Sequence, residues 1–73
     1  MKLIYSSDKL AAVNANTVKE FYVEMCEEVF SIKADGIVLS YHKSVDGAKK
    51  ALRNMVESIW EDEPCVYVME DTN

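Results

Sequence analysis

The chain has 73 residues, of which 49% are hydrophobic and 29% are charged, and its formal net charge is −5 at pH 7. This length predicts a single domain over residues 1–73, and the negative charge argues against direct binding to nucleic acid or to an anionic membrane. The N-terminus lacks the apolar segment of a signal peptide, and no apolar run approaches the roughly 20 residues of a membrane span, so the sequence predicts a cytoplasmic protein.

The first sixteen residues predict mostly extended chain. Residues 2–5 form a short apolar run that is typical of a strand. Residues 6–8 carry a Ser-Ser-Asp turn signal. Residues 9–13 fit either a second strand or one helical turn, and we prefer the extended form for this segment.

The clearest helical period lies in residues 17–31. Apolar residues recur there at i, i+3, i+4, i+7, i+8, i+11 and i+12, which predicts one buried stripe of an amphipathic helix. Thr17 and Glu20 have the spacing of a capping box, and the stripe would place Cys26 in the core as a reduced thiol. The stripe consists of Val18, Phe21, Tyr22, Met25, Cys26, Val29 and Phe30.

A β-hairpin competes with the C-terminal end of this helix. Ala34-Asp35-Gly36 is a plausible hairpin turn, so residues 29–33 could pair with residues 37–42 as two strands. The adjacent acids Glu27 and Glu28 break the alternation that a half-buried strand needs. We therefore expect the helix rather than the hairpin.

The C-terminal half predicts a strand, a second helix and a last strand. Residues 37–41 are rich in β-branched side chains, which favours a central strand. Ser44 can cap a helix over residues 45–61, and Gly47 in its first turn indicates either close backbone approach or simple tolerance. Residues 65–69 alternate like a strand and precede a polar tail that we expect to be frayed.

Together these elements predict an α+β fold. We expect a small single-layer sheet of three or four strands, with two amphipathic helices on one face. The strand at 37–41, the helix at 45–61 and the strand at 65–69 would form a β-α-β unit if the last strand returns parallel to the first.

The motifs of common enzymes and cofactor sites are missing from the sequence. It contains no phosphate-binding loop, dinucleotide fingerprint, nucleophile elbow or paired-histidine zinc motif. Cys26, Cys65 and the only histidine, His42, lack the spacing of metal ligands, so we expect packed thiols, a partly exposed histidine, no metal and no cofactor. The sequence therefore predicts a protein that is not an enzyme.

The functional hypothesis rests on the uneven distribution of charge. Residues 16–35 hold five acids and two bases, and residues 61–73 hold five acids and no base. Acidic surfaces attract basic partners, so we expect a small protein-binding module that modulates a larger basic partner, as an accessory protein or a phage-type inhibitor does, in the extreme case by imitating nucleic acid. A solvated face that binds nothing is the competing interpretation. The predicted partner-binding residues are Glu20, Glu24, Glu27, Glu28, Glu61, Asp62 and Glu63.

Two alternative functions follow from other features of the chain. The strand at 65–69 could lie at a sheet edge and pair with a second copy, which would make the protein a homo-oligomeric assembly module such as a homodimer. A basic group near the start of the second helix could instead hold a phosphate or carboxylate, although pairing with the chain's own acids is the preferred interpretation. That group consists of His42, Lys43, Lys49, Lys50 and Arg53.

Overall fold

A computed structural model describes residues 2–61 and 63–72 of the chain. The described residues form two three-stranded sheets and one helix, so the α+β class is confirmed, whereas the single sheet and the second helix are wrong. The strands are β1 (Leu3–Tyr5), β2 (Ala12–Asn14), β3 (Phe21–Cys26), β4 (Val29–Ala34), β5 (Ile37–His42) and β6 (Val66–Val68), and the helix is α1 (Val45–Ile59).

The first sheet has the strand order β2-β1-β6. β1 pairs antiparallel with β2 and parallel with β6, which confirms the strands expected at both ends of the chain. The extended form preferred for residues 9–13 is found only at Ala12 and Val13, because the chain turns before them, with Lys9 at a φ of +61°. Ile4 lies opposite Tyr67, and both side chains contribute to the core. Because neighbouring side chains on a strand point to opposite faces, Val66 and Val68 turn away from the core and are partly exposed.

The second sheet is the antiparallel meander β3-β4-β5, and it replaces the helix predicted over residues 17–31. Cys26 lies opposite Val29 in the β3–β4 pair, so Glu27 and Glu28 form a two-residue hairpin turn. The competing hairpin between residues 29–33 and 37–42, which we did not expect, is present as β4 and β5. The helical period misleads because both faces of β3 carry apolar side chains, which hides the period of two.

The turn between β4 and β5 is built from Asp35 and Gly36. Their φ angles are +48° and +93°, the left-handed values that a tight two-residue hairpin turn requires. The Asp35 carboxylate accepts hydrogen bonds from the backbone N–H groups of Lys19 and Glu20 at 2.9 and 3.0 Å. These bonds tie the segment before β3 to the turn, and they hold the pKa of Asp35 below its ordinary value.

Replacing Gly36 by alanine should lower the free energy of unfolding by about 1–2 kcal/mol, because the left-handed conformation is less favourable by this amount for a residue with a Cβ. A Cβ at this position would meet no atom within 4 Å, so the loss would come from the backbone and not from a clash. Urea unfolding measures the effect. An unchanged midpoint would contradict a left-handed Gly36.

The helix α1 covers one face of the second sheet and contacts all three of its strands. The Ser44 hydroxyl accepts a hydrogen bond from the backbone N–H of Gly47 at 3.0 Å, which confirms the predicted cap. The helix ends at Ile59, with Trp60 as its C-cap, rather than at residue 61. Among the described residues, no helix has the length and apolar character that a membrane span needs. The core joins both sheets and the helix through Ile4, Ile32, Ala34, Leu39, Met55 and Met69.

The segment after β6 crosses to the second sheet instead of fraying. The backbone N–H of Thr72 donates to the Tyr41 carbonyl at 3.1 Å, and the N–H of Lys43 donates to the Thr72 carbonyl at 3.2 Å. Thr72 thereby forms a parallel bridge with His42. The expected β-α-β return is limited to this bridge, because β6 itself pairs with β1.

Candidate functional site

The face of the second sheet that points away from α1 carries side chains in rows across the strands, and all of them except Ser31 are at least partly exposed. One row contains an ion pair, in which Lys33 Nζ lies 3.1 Å from Glu24 Oε1 across β3 and β4. The face is otherwise largely apolar or aromatic. Its rows are Tyr22, Lys33 and Val38, then Glu24, Ser31 and Tyr41, and then Cys26 and Val29.

One end of this face forms a groove of about 540 Å³ between the β3–β4 turn and the C-terminal segment. We call it the hairpin groove. Its volume lies within the range of sites that hold small ligands or a few side chains. Cys26, Val29 and Tyr41 form its floor, and Glu27, Lys43 and Asp71 form its rim, with Ser31, His42 and Thr72 completing the lining.

The floor of the hairpin groove exposes apolar surface that the fold does not bury. Tyr41 is 52% exposed and Val29 is 39% exposed, although both belong to strands whose opposite face lies in the core. Apolar surface that is concave and rimmed by polar groups is typical of an interaction site.

The rim contains two acidic residues, Glu27 and Asp71, and one basic residue, Lys43. Asp71 Oδ1 accepts a hydrogen bond from the Tyr41 backbone N–H at 2.8 Å, which fixes this carboxylate against the groove wall. Glu27 has a φ of +57°, a conformation that glycine and asparagine adopt more easily than glutamate. Glu27 therefore has a strained backbone beside the groove, at a position where glycine or asparagine would be less strained.

His42 lies beneath the groove and is only 1% exposed, so the partly exposed histidine expected from the sequence is wrong. Its Nε2 lies 2.7 Å from the Ser40 hydroxyl oxygen, and its Nδ1 lies 2.6 Å from the Thr72 hydroxyl oxygen. Burial lowers the pKa of His42, and Asp71 opposes this shift. A Cβ on Gly47 would lie 2.8 Å from Thr72 Oγ1, which confirms the close approach that this glycine suggested.

The Ser40–His42 pair has the spacing of a nucleophile and its base, but it is enclosed in the core. Ser40 is fully buried, so a substrate has no path to its hydroxyl. We therefore interpret the hydrogen bonds of His42 as structural contacts that anchor the C-terminal segment to β5.

The predicted acidic residues do not share a helix face. Glu24 pairs with Lys33, Glu27 and Glu28 occupy the hairpin turn, and of these three only Glu27 reaches the hairpin groove. Glu20, Glu61 and Glu63 are exposed elsewhere, and Asp62 lies outside the described residues. Asp71 was missed as a site residue because the chain end was expected to fray. Tyr41 was missed because its strand was expected to be central, whereas β5 lies at an edge of the second sheet.

The predicted basic group does not assemble. His42 is buried, and Lys43 lies on the rim of the hairpin groove. Lys49, Lys50 and Arg53 lie on the exposed side of α1, around a separate shallow hollow. The five residues therefore do not form one anion site near the start of the helix.

Both cysteines are free and exposed, so the prediction of packed thiols is wrong. Cys26 is the last residue of β3 and faces the hairpin groove rather than the core.

In a Cys65→Ser background, native Cys26 should react with an aromatic disulfide reagent about as fast as it does in the unfolded chain, because burial is what protects a thiol. Cys26→Ser should change the free energy of unfolding by less than about 0.5 kcal/mol, as exposed substitutions usually do. Strong protection of the native thiol would place Cys26 in the core and contradict the hairpin.

The described residues include no group of three or more His, Cys, Asp and Glu side chains placed to share a metal ion. Comparisons of the chain with protein-family models, curated proteins and solved structures find no match. The function therefore has to be argued from the chemistry of the hairpin groove itself.

Proposed function

We propose that the protein is a small binding module, not an enzyme, that holds a basic segment of a larger protein partner in the hairpin groove. One observation carries the proposal: an uncovered apolar floor lies beside two carboxylates, on a face of the sheet that the core does not use.

A lysine or arginine side chain of the partner fits the chemistry of this groove. Its aliphatic stem can cover Val29 while its charged end reaches Glu27 and Asp71. A guanidinium or ammonium group can also lie over the exposed ring of Tyr41, which is a favourable contact for a cation.

Lys43 restricts the kind of basic segment that fits. Its ammonium group shares the rim with the two carboxylates, so it repels a second cation that enters beside the first. A segment with one basic anchor among apolar residues therefore suits the groove better than a run of consecutive lysines.

The overall charge of −5 supports the same choice of partner. It attracts a basic protein over distances of about 10 Å at physiological ionic strength and raises the association rate. The same charge repels a nucleic acid.

Site-specific photocrosslinking in an extract of the native host tests the proposal. A benzophenone amino acid at Tyr41 places the crosslinker in the groove, and the same group at Leu10, which is exposed elsewhere, is the matched control. We expect the Tyr41 position to capture one protein through a segment that contains lysine or arginine, and the Leu10 position to miss it. Capture of the same proteins from both positions, or of none from Tyr41, would contradict the proposal.

A further inference from the structure

The exposed side of α1 carries a second apolar stripe that the core does not use. Val45, Val56 and Trp60 are all exposed, and Trp60 reaches 85%. Trp60 continues the helical backbone, with φ −77° and ψ −10°. At 3.6 residues per turn these three residues and Lys49 fall on one flank of the helix, between the core face and the fully wet face.

We infer that a second copy of this chain covers this stripe, with the two α1 helices antiparallel about a twofold axis. Val45 and Trp60 lie equally far from the point between residues 52 and 53, and so do Lys49 and Val56. A twofold axis through that point would therefore align both pairs. A single antiparallel register therefore places Trp60 of each copy against Val45 of the other and the stem of Lys49 against Val56. The inference is independent of the hairpin groove.

The charges on α1 and just beyond it favour this direction of pairing. After Asp46 in the first turn, the bases Lys49, Lys50 and Arg53 come first along the helix, and the acids Glu57 and Glu61 follow them. Antiparallel helices bring Lys49 of each copy beside Glu57 of the other, and the symmetry makes this pair twice. Parallel helices would place every charge against its own kind, whereas the antiparallel register does so only where the two Arg53 residues meet near the twofold axis and where Asp46 approaches Glu61.

The size of the stripe indicates a weak dimer. A helix of 15 residues is about 22 Å long, so the contact is smaller than a standard stable interface. Two exposed tryptophans at its ends supply much of its apolar area. We therefore expect association at upper micromolar concentrations rather than at nanomolar ones.

Trp60 is the only tryptophan of the chain, so its fluorescence reports this contact directly. As the concentration rises from about 1 µM to about 1 mM, the emission should shift to shorter wavelength, and the mass in sedimentation equilibrium should rise from monomer to dimer in parallel. A monomer throughout this range would overturn the inference, as would a dimer whose Trp60 emission does not move, since the second copy would then lie elsewhere, for example at β6.

Charge reversal tests the register. Lys49→Glu and Glu57→Lys should each weaken the dimer by about fivefold to tenfold, because two ion pairs become two repulsions, and the double variant should recover most of the loss. Lys19→Glu, an exposed reversal outside α1, should change little beyond the general effect of charge. Failure of the double variant to recover, in chains whose circular dichroism is unchanged, would contradict the antiparallel register.

Discussion

Replacing His42 by alanine should lower the free energy of unfolding by about 2–4 kcal/mol, which is a large effect for one residue. The variant loses both ring hydrogen bonds, leaves the Ser40 hydroxyl buried without its partner and opens a cavity in the core. Thr72 would also lose its side-chain anchor on β5. Urea unfolding measures the loss, and Lys43→Ala, at the exposed neighbouring position, should stay within about 0.5 kcal/mol. Equal effects at both positions would contradict a buried His42.

The same residue should make stability depend on pH. Burial holds the pKa of His42 below its ordinary value of 6.5, so the unfolded chain binds a proton at a pH where the folded chain does not. Stability from this group is complete above pH 6.5 and is lost as the pH falls from there towards the folded pKa, at up to about 1.4 kcal/mol per pH unit. His42→Ala should remove this slope, whereas an unchanged slope would assign it to other groups.

Ile32→Ala should lower the free energy of unfolding by about 2–5 kcal/mol, the range for a large side chain removed from a packed core. Ile32 is fully buried, whereas Val29 on the same strand is 39% exposed on the opposite face, so Val29→Ala should cost less than about 1 kcal/mol. The comparison also separates the hairpin from the helix that the sequence favoured, because that helix would bury Val29. Equal or reversed losses would contradict the strand assignment.

The sequence predicted the elements that carry a clear local signal. Helix α1 has a wet face of lysines and a clear cap at Ser44, and β5 is a β-branched run after an Asp-Gly turn, so both were found close to their observed bounds. β3 failed for the opposite reason. Phe21 and Val23 pack against the core while Tyr22 and Cys26 lie on the other face, so the alternation disappears and a helical period takes its place.

The turn chemistry of β3–β4 also hid the hairpin. Two-residue hairpin turns are usually formed by pairs such as Asn-Gly or Asp-Gly, and Glu27-Glu28 is not such a pair. Glu27 nonetheless adopts a φ of +57°. Local propensity contains no signal for this conformation, since pairing along β3 and β4 imposes it. The site was hidden for a related reason: Asp71 reaches the groove only through hydrogen bonds to β5, which lies 30 residues earlier in the chain.

The central claim is that the hairpin groove, and not acidity in general, recognises the partner. Glu27→Lys and Glu20→Lys change the net charge by the same amount at exposed positions, but only Glu27 lines the groove. Stopped-flow association with the protein captured through Tyr41, measured at low and at physiological ionic strength, separates the two contributions. We expect Glu27→Lys to weaken binding by about tenfold or more at both ionic strengths. Glu20→Lys should weaken binding less, and its effect should shrink as the salt concentration rises, because it acts only through the net charge. Equal losses from the two variants, or unchanged binding by Glu27→Lys, would contradict the groove as the binding site.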